Sequence, residues 1–283
     1  MTGTGERILV VNADDIGLHS GLTDGTLAAH DTGIVTACSV VAIGSGFADA
    51  AARLRTRPAL DVGVHLALTG GAPLSPPREV ASLVDGSGRF LPRWPALAWR
   101  AFGGRLRSDE VERELRRQVE RVLEVGLPVS HFDGHEHLHV LPGVVEVVVA
   151  LAAELGIPFV RCPVEGDPWR AGPLRGMSLT VLSGFGRRAA ARMRATGLRH
   201  ADRTLGIARA GRLDVMELRR LVGRVEGICE LVCHPGLRQG ELEAALGAGY
   251  RWEGETQALV DGQIRAAMGS RGVRLATFRE LAG

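Results

Sequence analysis

Lysine is absent from this chain: all 34 basic residues are arginine. That excludes Schiff-base chemistry on a lysine amine and the lysine of a phosphate-binding P-loop. An excess of charge of either sign is also missing. The 34 basic residues face 32 acidic ones, a formal charge of +2 over 283 residues. Bulk charge therefore gives no reason to expect nucleic acid or an anionic membrane as a partner. Cysteine is scarce, with only Cys38, Cys162, Cys229 and Cys233. The last two are four residues apart in what reads as a strand, so they are not a zinc-finger pair. Thiols this scattered do not make a disulfide framework in so long a chain, and buried free thiols in a reducing compartment are expected. No apolar run approaches membrane-spanning length, and Met1 to Arg7 holds neither an h-region nor a cleavage site, so a soluble, cytoplasmic protein is expected. Phosphate loops are missing too. Gly44-Ser45-Gly46 follows a strand but lacks the third glycine, and no Gly-x-Ser-x-Gly stands at a strand end.

What is present alternates between strand and helix. Short β-branched runs predict strands at Ile8 to Val11, Val35 to Ile43, Val62 to Leu68, Val129 to Phe132, Pro158 to Arg161, Gly227 to Cys233 and Val273 to Ala276. Helical patterns fall between them, at about Leu22 to His30, Ala48 to Leu54, Ser108 to Glu124, Pro142 to Gly156, Leu182 to Ala195, Val215 to Val225 and Thr256 to Met268. Ser108-Asp109-Glu110 reads as a cap. Gly70 to Arg107 and Arg161 to Ser178 read as loops over one end of the fold. This spacing suits right-handed βαβ crossovers and predicts one α/β domain over 1–283; it favours a closed or nearly closed parallel barrel over an open sheet, two forms that periodicity alone does not separate.

The densest chemical signal is Ser130-His131-Phe132-Asp133-Gly134-His135-Glu136-His137-Leu138-His139. Four of the nine histidines and one aspartate stand at alternating positions. Extended backbone would aim them into one small volume, where imidazoles serve as metal ligands or as acids and bases. A tag remnant would sit at a terminus without the interleaved Asp. Three further polar groups fall at predicted strand ends: Asp14-Asp15, His65 and His234. Alone, the Asp pair reads as a helix N-cap, His65 as a core histidine and His234 as a turn residue. Together they mark the C-terminal edge where parallel barrels build active sites.

Val11-Asn12-Ala13-Asp14-Asp15-Ile16-Gly17, Gly63-Val64-His65-Leu66, the histidine run and Cys233-His234-Pro235-Gly236 resemble, in order, the motifs of the YdjC-like carbohydrate deacetylases. That group includes the chitooligosaccharide and hopanoid-associated deacetylases. The resemblance implies an irregular barrel related to the polysaccharide deacetylase fold, which removes N-acetyl groups from amino sugars with one divalent metal ion, Zn2+ or Mg2+. It also implies Asp15, His65 and His135 as metal ligands, Asp14 as general base and His234 as general acid. Asp133 can orient a ligand imidazole, and His131, His137 and His139 are alternative ligands or sugar contacts. Ile16 departs from the family's usual Phe. Trp94 and Trp99 can stack on sugar rings or pack in the core. An N-acetylated amino sugar is the expected partner, without a membrane span, and a homodimer is left open. A metal-dependent phosphoesterase on a similar barrel and a non-catalytic sugar-binding relative are the alternatives. Asp14 and His234 argue against the latter, since plain metal binding needs neither.

Overall fold

Residues 5–282 are described by the computed structural model; most of the opening segment, on which the expectation of no leader rests, lies outside them. Eight strands form one parallel sheet: β1 (Arg7–Ile16), β2 (Ala37–Val40), β3 (Asp61–Leu66), β4 (Val129–Gly134), β5 (Phe159–Val160), β6 (Arg203–Leu205), β7 (Gly227–Cys233) and β8 (Val273–Leu275). The order is β5-β4-β3-β2-β1-β7-β6. β7 lines one edge of β1 from Arg7 to Ala13. The other edge is shared, with β8 beside Arg7 to Leu9 and β2 beside Asn12 to Ile16. Isolated parallel bridges, Phe159 with Arg199 and Glu165 with Thr204, join the β5 and β6 sides. The sheet thus curls into the irregular barrel that the family resemblance implies.

Helices α1 (Ser20–Asp31), α2 (Phe47–Leu54), α3 (Trp94–Phe102), α4 (Ser108–Glu124), α5 (Val145–Glu154), α6 (Pro173–Ala195), α7 (Val215–Val222), α8 (Gln239–Leu246), α9 (Trp252–Val260), α10 (Gly262–Gly269) and α11 (Phe278–Ala282) complete the fold. Alternation along β1 separates two interiors. Leu9, Val11 and Ala13 join the main apolar core, whereas Val10 packs with Ala37, Phe159 and Phe278. Phe278, from α11, is 3% exposed; its burial is worth roughly 1.5–3 kcal/mol. The His131 ring lies 4.2 Å from it, centroid to centroid. A Cβ on Gly63 would fall 2.3 Å from His131 Nε2, so glycine is required there for the close approach.

α4 forms because Val111, Leu115, Val119 and Val122 recur at helical spacing and are buried. Ser108 is its first residue and not its cap: Arg107 holds the cap position without a side-chain hydrogen bond. Asp109 and Glu110 in the first turn complement the helix dipole. Its buried polar row pins the segment before it. Glu114 accepts from Leu74 N and Ser75 N, Glu110 accepts from Ser82 N, and Gln118 bonds both N and O of Ala67. The 70–107 segment, expected to lack regular structure, contains α3 and a bridge between Val84 and Phe90. α6 begins at Pro173, inside the expected Arg161 to Ser178 loop, because proline suits a first helical turn. The single helix expected at Thr256 to Met268 is two, broken at Asp261, whose extended backbone lets its side chain accept from Gln263 N and cap α10.

Candidate metal centre at the barrel mouth

Consecutive strand residues face opposite ways, so Asp14 and Asp15 cannot both serve the barrel mouth on regular β geometry. The chain breaks the rule at that point. Asp15 has φ +68°, and the β1–β2 register shifts between Ala13 and Ile16. A positive φ is costly for any residue but glycine and recurs at functional sites. It leaves Asn12 and Asp14 in the buried interior and turns Asp15 toward His65 and His135. Asp15 Oδ1 lies 2.8 Å from His135 Nδ1 and 3.2 Å from His65 Nε2.

His65 is fixed from behind. Its Nδ1 lies 2.8 Å from Asp133 Oδ1 and 3.2 Å from Ser39 Oγ. An Nδ1–H donated to Asp133 leaves the Nε2 lone pair facing Asp15. One carboxylate oxygen and two imidazole nitrogens therefore converge, within 4.8 Å of one another. That set suits a divalent transition metal and leaves coordination positions for other ligands. His65 is 2% exposed and His135 28%, so the cluster opens to solvent on the His135 side. A second group, Asp14, His65 and Asp133, is equally close. The Arg161 guanidinium lies 2.6 Å from Asp14 and 2.7 Å from Asp133, which disfavours another cation there.

Arg161 organises the interior. Wholly buried, it holds Asp14 through both terminal nitrogens, Asp133 through Nη2 and Glu230 through Nε, all at 2.6–2.7 Å. Asn12 adds donations to Asp14 Oδ1, Ser39 and Asp133, and its Oδ1 lies 3.0 Å from His131 Nε2. The electrostatics follow. Burial would lower the His65 pKa, but the Asp133 charge and hydrogen bond raise it well above normal. Burial likewise opposes, and Asp15 overcomes, at His135. Asp15 is held well below the usual carboxylate range by those imidazoles against the opposing effect of burial. Asp133 is also held low, mainly by Arg161 and His65. Glu230 is pushed up to about 7 by burial and by Asp133 and Asp14, with Arg161 opposing.

His234 follows β7 and looks into the same opening. Its Nε2 is 4.0 Å from Asp15 Oδ2, its Nδ1 is buried without a partner, and its ring meets Tyr250 edge-on at 5.0 Å. Its backbone N–H donates to Glu255. The structure corrects the single-volume expectation for the histidine run. β4 ends at Gly134, and Glu136 and His137 take positive φ in a 3-10 turn over His135–Val140. His131 remains in the barrel interior. His139 is buried, its Nε2 2.9 Å from Arg161 O, and burial lowers its pKa to about 4. His137 Nδ1 is buried without a partner. Among the described residues, only His65 and His135 join a carboxylate in a metal-compatible cluster.

Sequence reasoning misses Arg161, Glu230, Asn12 and Ser39. Glu230 carried a signal, as the one charge in the apolar strand Gly-Ile-Cys-Glu-Leu-Val-Cys. Arg161 follows a two-residue strand and reads as the start of a loop. Trp94 and Trp99 are 46% and 62% exposed on α3, which excludes the core reading. All four cysteines are buried and free. No helix among the described residues is long and apolar enough to cross a membrane.

A parallel α/β barrel with a carboxylate–imidazole cluster at its strand-end mouth is the class that fold and site define. Residues 8–269 match the family described as YdjC-like protein. The chain belongs to that family. It is 31% identical over 280 residues to a chitooligosaccharide deacetylase of Klebsiella pneumoniae (strain 342), covering 98% of this chain and 100% of that one. It is 39% identical over 155 residues to a carbohydrate deacetylase of Brevibacillus brevis, a match that spans 55% of this chain and 59% of that relative. A solved structure described as a putative cellobiose-phosphate cleavage protein from Enterococcus faecalis V583 superposes with a TM-score of 0.77. It is 25% identical and covers 98% of this chain and 100% of that one.

Proposed function

We propose that the chain hydrolyses the N-acetyl group of an amino sugar, with a divalent metal ion held by Asp15, His65 and His135. The observation that carries this reading is the convergence of those three side chains, with His65 turned by Asp133 so that Nε2 faces Asp15. Relatives named as carbohydrate and chitooligosaccharide deacetylases support the substrate class. Bound there, the ion supplies a Lewis acid that polarises the acetamide carbonyl and makes water a better nucleophile.

Asp14 accepts the proton of the attacking water. Its Oδ1 already receives hydrogen bonds from Arg161 and Asn12, whereas Oδ2 receives one from Arg161 alone, so Oδ2 keeps a lone pair for the proton. Arg161 fixes that carboxylate, and Asp133 fixes the imidazole beside it. His234 donates from Nε2 to the departing nitrogen, which leaves poorly without a proton. Mass spectrometry over a panel of N-acetylated saccharides, with and without chelator, tests the reading. Loss of one acetyl group, abolished by chelator, is expected. The panel includes a phosphorylated disaccharide, because of the description of the Enterococcus faecalis structure. Cleavage or dephosphorylation of that compound without any deacetylation would contradict the assignment.

A further inference from the structure

The formal charge of +2 conceals a segregation. Residues 86–107 contain five arginines and no acidic residue, and residues 168–201 contain seven and none. Those two segments carry 12 of the 34 basic residues, so the remainder holds 22 against 32 acids, a net −10. The same two segments hold seven of the ten exposed large apolar side chains among the described residues; Leu123, Met216 and Leu237 lie elsewhere. Trp99 and Phe102 on α3 are 62% and 60% exposed, and Leu174 and Met177 on α6 are 80% and 58%. Leu174, Met177 and Val181 share one face of α6 at helical spacing. The two helices meet where the Phe102 and Phe185 rings lie 5.6 Å apart, and both pack against the turn that carries His135.

Basic and apolar groups are interleaved on this face. The Arg105 guanidinium sits 4.4 Å above the Trp99 ring, and Arg188 continues the α6 stripe four turns beyond Leu174. Arg107, Arg170 and Arg192 are paired with carboxylates. Arg93, Arg105, Arg187 and Arg188 are exposed and, among the described residues, make no ion pair.

We propose that the α3–α6 face docks the protein on an anionic lipid bilayer, with the barrel mouth beside the contact. Exposed Trp, Phe, Leu and Met among arginines is the composition of an interfacial membrane-binding surface. Anionic headgroups neutralise arginines that have no partner in the protein. A second copy is a poorer occupant, because a two-fold interface sets the same patch against itself and would oppose like charges.

The test is vesicle flotation at low salt, with phosphatidylcholine vesicles and with vesicles of equal parts phosphatidylcholine and phosphatidylglycerol. The wild type should float with the second kind only and be released by salt. Arg187→Gln/Arg188→Gln should weaken binding about thirtyfold, at about fivefold per arginine. Leu174→Ser/Met177→Ser should weaken it by about tenfold or more, and circular dichroism should show both variants folded. Failure of the wild type to bind anionic vesicles, or equal binding by both variants, overturns the proposal. So does a wild-type dimer in light scattering that Leu174→Ser/Met177→Ser makes monomeric. Binding is read without turnover, so the outcome is independent of the deacetylase reading.

Discussion

Replacing Arg161 by Met removes the one cation that three buried carboxylates share. Asp14, Asp133 and Glu230 each lie 2.6–2.7 Å from its guanidinium, and the arginine side chain is 0% exposed. Stripping one partner from a buried ion pair costs about 3–5 kcal/mol, a large share of a typical total of about 5–15 kcal/mol. The pH dependence should also steepen. In the wild type, Asp133 is held below the normal carboxylate range. Its contribution is therefore present above the unfolded pKa and lost as pH falls through the folded one. Glu230, pushed up to about 7, acts oppositely and withdraws stability as pH rises toward that value. Without Arg161, Asp133 and Glu230 both lose the cation that favours their ionised forms. The folded state then binds more protons than the unfolded one, so stability falls as pH rises. Urea unfolding at several pH values between acid and mild alkali reads both effects. The deficit of Arg161→Met should widen with rising pH, and adding Glu230→Gln should recover part of it. A loss under about 1 kcal/mol with an unchanged pH slope would refute the argument.

Metal uptake should release protons, because the pKa values of His65 and His135 are both raised and each must be neutral to coordinate. Apparent affinity, measured by isothermal titration in buffers of different ionisation enthalpy, should fall as pH drops, starting above the normal imidazole pKa. Asp14→Asn should keep the metal while kcat falls by about two to four orders of magnitude; unchanged kcat would exclude Asp14 as the base. His234→Ala should cost far more on an N-acetyl sugar than on an aryl acetate, whose leaving group needs little protonation. Equal losses on both would make His234 a positioning residue.

The elements most legible in the sequence were those whose apolar period repeats often enough to declare itself. α4 shows it over four turns, and β7 over seven residues. β6 has three residues, too few for any period, and α8 buries only Leu242. The mouth of the barrel was legible because its polar residues interrupt apolar strand ends. Its wiring was not. Whether Asp15 reaches His65 depends on a positive φ that the sequence does not announce, since aspartate tolerates that conformation better than most residues but does not require it. The histidine run misleads for the same reason: its spacing is that of a strand, but the chain turns after Gly134. Arg161 gives no local cue at all, because its three partners come from β1, β4 and β7.

The central claim is hydrolysis of an acetamide at the Asp15–His65–His135 cluster. Its most direct measurement is nuclear magnetic resonance of an amino sugar carrying an isotope-labelled N-acetyl group, incubated with metal-loaded protein. The wild type should release one labelled acetate per free amine formed, and Asp15→Ala, lacking the carboxylate that both imidazoles face, should release none. Acetate release by Asp15→Ala at the wild-type rate, or consumption of the sugar with the label still on nitrogen, would contradict the account.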